Sequence, residues 1–126
     1  MIEFFDPFEQ ANMHEISLVR NIFATIEAQH PDIPPECIQC IYLQVGELSN
    51  VEPIALQNAF AAVIENDLRY QNATLEITVT PVLIYCDDCD KTSGIKNYHF
   101  ICPCGKPSKK IVQGDELLIT RIEYGR

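Results

Sequence analysis

Basic residues are scarce in this 126-residue chain, where nine Lys and Arg face 18 Asp and Glu for a formal charge of −9. That overall balance repels a phosphate backbone, so no nucleic-acid partner is expected. Long apolar runs are missing as well. The longest charge-free stretch, Pro53 to Ile64, contains Gln57 and Asn58 and falls short of the ~20 apolar residues a bilayer span needs. The start, Met1-Ile2-Glu3-Phe4-Phe5-Asp6, lacks the positive charge and apolar core of a secretory signal, and the chain is expected in the cytoplasm. Gly-x-Ser-x-Gly, His-Glu-x-x-His and phosphate-loop motifs are absent, and no spacing of carboxylates nominates an acid and base pair. The chain reads as a protein without an enzymatic reaction of its own.

What is present is enough apolar material, 47% of residues, for one compact domain or a small domain carrying a minor subdomain. The six cysteines, in a reducing compartment, are thiols or metal ligands rather than structural disulfides.

Residues 1–12 carry three acids, three Phe and no base, show no sustained period, and read as a leader outside the main fold. The body that follows stays acidic, with 15 acids against 9 bases, which suits partner surfaces that are basic or bear metal. From Met13 to His30, Ile16, Val19, Ile22, Phe23 and Ile26 recur at helical steps until Pro31, Pro34 and Pro35 stop them. Ile41, Leu43 and Val45 then alternate with Tyr42 and Gln44 as a strand. A second helix, capped by Ser49 or Asn50 near Pro53, uses Ile54, Phe60, Ala61 and Ile64 as its apolar face. Leu75, Ile77 and Val79 mark a second strand that continues past Pro81 to Tyr85, and Leu117, Ile119 and Ile122 a closing one. Between Cys86 and Lys110 the periodicity fails, eight residues being Cys, Pro or Gly, and a cross-link other than a hydrophobic core must hold the segment.

The expected architecture is therefore α+β: two helices packed on one face of a small three-stranded sheet. A subdomain protrudes from it, inserted between the last two strands, which can pair with each other. The domain boundaries that follow are a leader at 1–12, disordered or a start-site extension, a main domain from 13–85 and 111–126, and a subdomain at 86–110.

Within the insert, Cys86-Asp87-Asp88-Cys89 and Cys102-Pro103-Cys104-Gly105 are cysteine pairs separated by twelve residues. Two turns so spaced can face each other around one ion, and four thiolates suit tetrahedral zinc. Coordination would supply the folding free energy the insert lacks, roughly 10–16 kcal/mol in zinc-finger peptides at neutral pH. The second pair is tight, converging only if the chain bends at Pro103, and His99 is the available substitute ligand. Iron accepts the same four donors, so a rubredoxin-like electron-transfer centre stays open, as does a zinc ribbon that only docks a protein. Cys37-Ile38-Gln39-Cys40 has the same offset but runs into a strand, where residues three apart point to opposite faces; these two read as ordinary small apolar side chains.

Three motifs in order, Met13-His14-Glu15-Ile16-Ser17-Leu18, Val45-Gly46-Glu47-Leu48-Ser49 and Gly114-Asp115-Glu116-Leu117-Leu118-Ile119, resemble the HypA/HybF family of hydrogenase and urease nickel-delivery proteins. The likeness covers Met13 to about Tyr124, and the cysteine insert falls where that family carries its zinc lobe. The resemblance implies a metallochaperone that binds Ni(II) with Met13, His14 and Glu15, holds structural Zn(II) with Cys86, Cys89, Cys102 and Cys104, and serves [NiFe]-hydrogenase or urease maturation. It also implies partners: a GTPase of the HypB type, and the hydrogenase large subunit or urease maturation proteins. Carried onto this chain, the nickel donors are the His14 imidazole, the main-chain nitrogens of His14 and Glu15, and the Met13 nitrogen, a planar set that Ni(II) favours. The sequence departs from the family pattern in three places. Twelve residues precede Met13, so its nitrogen is a peptide nitrogen rather than a free amine unless translation starts at Met13 or the leader is removed. One residue rather than two separates Cys102 from Cys104. Asp90 stands where glycine commonly follows the first cysteine pair, and Asp can take the left-handed conformation such a turn requires.

Overall fold

The computed structural model describes residues 7–125, with side chains described from residue 14. The first helix, α1, spans Pro7–Gln29 and so begins well before the expected Met13. Pro7 supplies the fixed φ and missing donor that suit a first helical position, and residues 7–12 continue the helix; residues 1–6 of the expected leader lie outside the described residues. The helix closes with the His30 amide donating to the Ile26 carbonyl at 2.8 Å, immediately before Pro31.

Strand β1, Ile38–Gly46, forms the middle of a three-stranded sheet. On one side it pairs in parallel with β2, Thr74–Thr80, reached through α2, Pro53–Asn66. On the other it pairs antiparallel with β6, Leu117–Tyr124. Helix α2 starts with Pro53 in its first turn behind Glu52, which makes no side-chain cap; Ser49, expected as a cap, donates instead to the Gly46 carbonyl at 2.7 Å.

Both helices cover one face of this sheet. Val19, Ile22, Phe23 and Ile26 of α1 meet Leu56, Ala59, Phe60 and Val63 of α2 over Ile41, Leu43, Val45 and Leu75. Ile77, Ile119 and Ile122 pack at the margin of the cluster, so these alternating residues point where the sequence pattern places them; Val79, expected on the same face of β2, is instead 47% exposed at the end of the strand.

Two details of strand order differ from expectation as well. The strands that flank the insert do not pair with each other, because β1 lies between them. The segment after Pro81 is not a continuation of β2 but a separate strand, β3 at Leu83–Cys86. It is the centre of a second antiparallel sheet, between β4 at Lys91–Gly94 and β5 at Lys110–Gln113. Pro81 cannot donate to a ladder, and the inward residues change parity there: Leu75 is buried at an odd position, Val82, Ile84 and Cys86 at even ones. A strand that shifts phase must bend or change sheet.

Candidate metal centres

The four cysteines of the insert come together. Cys86 leaves the end of β3, Cys89 follows one turn later, and Cys102 and Cys104 return on the facing loop; their sulfurs all lie within 4.8 Å of one another. Cys86 Sγ is 3.8 Å from Cys104 Sγ, and Cys102 Sγ is 3.8 Å from Cys89 Sγ. Ligands at ~2.3 Å in a tetrahedron around zinc stand ~3.8 Å apart, so the donor set fits the ion in number, type and spacing.

The local backbone explains how each pair folds. The Asp90 amide donates to the Cys86 carbonyl at 2.8 Å, and Asp90 sits at φ 51, a left-handed conformation that glycine favours and Asp tolerates. In the tighter second pair the Gly105 amide donates to the Cys102 carbonyl at 2.8 Å, with Gly105 at φ 95. That turn lets Cys104 join the group with one residue between the cysteines.

Crowding four thiols has an electrostatic consequence. Hydrogen bonds shared first with Cys104, then with Cys102 and Cys86, push the Cys89 thiol up to about 12. The Lys106 amide and the neighbouring thiols bring Cys104 down to about 7. Thiolates so close repel one another, and a divalent cation lets them ionise together.

His99 stands outside the group. It follows a tight turn in which Asn97 and Tyr98 both have positive φ, 52 and 59, pairs across that turn with Lys96, and is exposed. Cys37 and Cys40 also lie apart, Cys37 closing a short 3-10 turn and Cys40 buried in β1. The knuckle acids are paired with lysines of the returning chain, Asp88 with Lys106 and Asp87 with Lys110, each at 2.8 Å.

At the other candidate site, His14 and Glu15 are consecutive on α1 and therefore about 100° apart around it. His14 is exposed; Glu15 turns inward and is 4% exposed, the buried charged residue among those described. The main-chain nitrogens of Met13, His14 and Glu15 lie inside α1, where helical N–H groups point to carbonyls four residues earlier.

Sequence reasoning assigned no role to Glu47 and Glu116, yet both reach the chain segments that lead into and out of the second sheet. The Val82 amide donates to Glu47 Oε1 at 3.0 Å and the Gly114 amide to Glu116 Oε2 at 2.8 Å. The available signal was positional, since Gly46-Glu47 and Gly114-Asp115-Glu116 lie at the sheet end from which the insert departs.

Residues 13–124 match the family model described as hydrogenase/urease nickel incorporation, metallochaperone, hypA. The chain belongs to the HypA family. It is 36% identical over 112 residues to a hydrogenase maturation factor HypA of Desulfitobacterium hafniense (strain DSM 10664 / DCB-2), covering 88% of this chain and 97% of that one. It is 37% identical over 111 residues to the factor of the same name from Actinobacillus succinogenes, with 87% and 97% covered. A HypA solution structure superposes with a TM-score of 0.63 at 26% identity, covering 89% of this chain and 96% of that one. The fold is also that of the Ni metallochaperone HypA from Helicobacter pylori in solution, TM-score 0.61 at 24% identity over 87% and 96% of the two chains. No helix among the described residues of this HypA-family chain is long and apolar enough to cross a membrane.

Proposed function

We propose that this protein binds Ni(II) at the Met13-His14-Glu15 segment and delivers it, without catalytic turnover, during maturation of [NiFe]-hydrogenase or urease. The observation that carries the reading is the family match beginning at residue 13, with an exposed imidazole at residue 14. His14 Nδ1 or Nε2 is free to approach an ion from solvent. Glu15, turned into the fold, contributes through its main-chain nitrogen rather than its carboxylate. Use of the amide nitrogens requires the helical turns around residue 13 to uncoil, because a deprotonated amide in the nickel plane has no proton left for its helical carbonyl. Release to an acceptor is then favoured by re-formation of those helical hydrogen bonds.

Cys86, Cys89, Cys102 and Cys104 are the ligands for a resident Zn(II), with His99 unused. Zinc, when bound, supplies a structural cross-link in place of a hydrophobic core. A GTPase of the HypB type supplies any nucleotide hydrolysis, and the hydrogenase large subunit or urease maturation proteins receive the cargo, in the cytoplasm.

Nickel titration of the His14→Ala variant tests the reading. Loss of stoichiometric nickel uptake with zinc content and fold retained is the expected result; undiminished uptake overturns it. Metal analysis with visible spectroscopy decides the second ion, since zinc thiolates are colourless and iron thiolates absorb strongly.

A further inference from the structure

The two sheets share no strand, so no backbone ladder sets the orientation of the cysteine lobe against the helical domain. The chain passes between them only twice, outward through Pro81-Val82 and back through Gly114-Asp115-Glu116. Connections this short still allow rotation unless other bonds fix them, and small interdomain contacts leave relative motion as the default.

Here other bonds fix both crossings. Glu47, just beyond the end of β1, accepts from the Val82 amide at 3.0 Å and so holds the outward crossing. Glu116 holds the return. Its Oε2 accepts from the Gly114 amide at 2.8 Å, while its Oε1 accepts from the Thr80 hydroxyl at the end of β2 and from Gln44 Nε2 of β1 at 3.4 Å. The Gly46 amide donates to the Glu116 carbonyl at 2.8 Å and the Leu48 amide to the Gly114 carbonyl at 2.6 Å. A last bond ties the crossings to each other, Gln113 Nε2 donating to the Pro81 carbonyl at 2.9 Å.

The glycines make this knot possible. A Cβ on Gly46 would come within 2.2 Å of the Gly114 carbonyl group, and one on Gly114, at φ +110, within 2.7 Å of Val82 Cα. Three main-chain segments therefore touch with no side chain between them, which leaves the carboxylates as the adjustable parts.

We infer that Glu47 and Glu116 are positioning residues that lock the cysteine lobe at one orientation to the helical domain. Each acts as a hydrogen-bond acceptor for a crossing amide, so shape and acceptor oxygen matter more than charge. The lock adds to the delivery reading a rigid spacing between lobe and α1 that a partner gripping both would meet. It is measured without nickel, so its failure and the failure of that reading are separable.

Residual dipolar couplings on the zinc-loaded full chain test it. Both parts should fit one alignment tensor in the wild type and in Glu47→Gln and Glu116→Gln, which keep an acceptor oxygen. In Glu47→Ala and in the double variant Glu47→Ala/Glu116→Ala the lobe should lose the shared tensor, while zinc content and the shifts of the helical core are retained. Exposed Glu47 makes its single variant informative even if the double variant misfolds. Separate tensors in the wild type, or one unchanged tensor after removal of Glu47, would overturn the inference.

Discussion

Tyr70 lies flat on Phe23, with ring centroids 3.8 Å apart and planes within 3°, and its hydroxyl donates to Glu27. The stack joins α1 to the short turn after α2 at the bottom of the core, where Tyr70 is fully buried. Arg69 approaches the same Glu27 at 3.6 Å and pairs with Asp67 at 2.8 Å.

Truncating this ring should be among the costliest single changes in the helical domain. Tyr70→Ala is expected to lose about 3–5 kcal/mol by leaving a cavity beside Phe23. Tyr70→Phe, which removes one hydrogen bond to a charged acceptor still reached by Arg69, should lose about 1–2 kcal/mol. Denaturant unfolding of the three proteins measures both.

Stability should fall at both ends of the pH scale for identifiable reasons. Hydrogen bonds from Thr80, the Gly114 amide and Gln44 lower the Glu116 carboxyl to about 2 from 4.5. A lowered folded pKa contributes stability that is complete above 4.5 and is lost as pH falls towards 2. Burial, then the Glu27 contact, raises the Tyr70 hydroxyl above its ordinary 10.0. The Glu123 contact, then burial, raises Tyr42 to about 12. These two contribute stability that is complete below pH 10 and is lost as the pH climbs through their folded values. Melting curves of wild type and Glu116→Gln should converge at the acid end; a wild-type advantage at pH 7 that persists unchanged at pH 2 would contradict the assignment.

Removing zinc should unfold one part and spare the other. With a chelator, amide signals of β3, β4 and β5 should collapse while those of α1, α2 and β1 persist, because the helical domain has its own core and the lobe relies on its cysteines. Cys104→Ser should lower zinc retention, and His99→Ala should leave it unchanged. Zinc analysis after dialysis distinguishes the two.

Much of this organisation is legible in the chain. The alternation at Ile41, Leu43 and Val45, the stop at Pro31 and the spacing of the four cysteines each fix a local outcome through a short-range rule. What the pattern does not carry is which strand neighbours which. Alternation assigns a face and says nothing of a partner, so the parallel pairing of β1 with β2 and the separation of β2 from β6 had no local signature. The departure at Pro81 did have one, the parity change between Leu75 and Val82, and it is the point where the strand leaves one sheet for the other. Glu47 and Glu116 were silent because their role is to main-chain amides 35 and two residues away, contacts that no side-chain motif announces.

The Gly46 position offers a check on the crossing. Gly46→Ala should cost about 1–3 kcal/mol, as overpacking does, since its Cβ meets backbone at 2.2 Å rather than a flexible side chain. An unaltered unfolding midpoint would show that the two glycines do not touch in solution.

The central claim is a nickel site headed by His14. Calorimetric nickel titration at neutral pH, on the full chain and on one beginning at Met13, tests it most directly. The account predicts stoichiometric uptake that depends on His14, tighter in the shorter chain, where a free amine replaces a peptide nitrogen and no preceding helix has to uncoil. Absence of uptake by both proteins would contradict it.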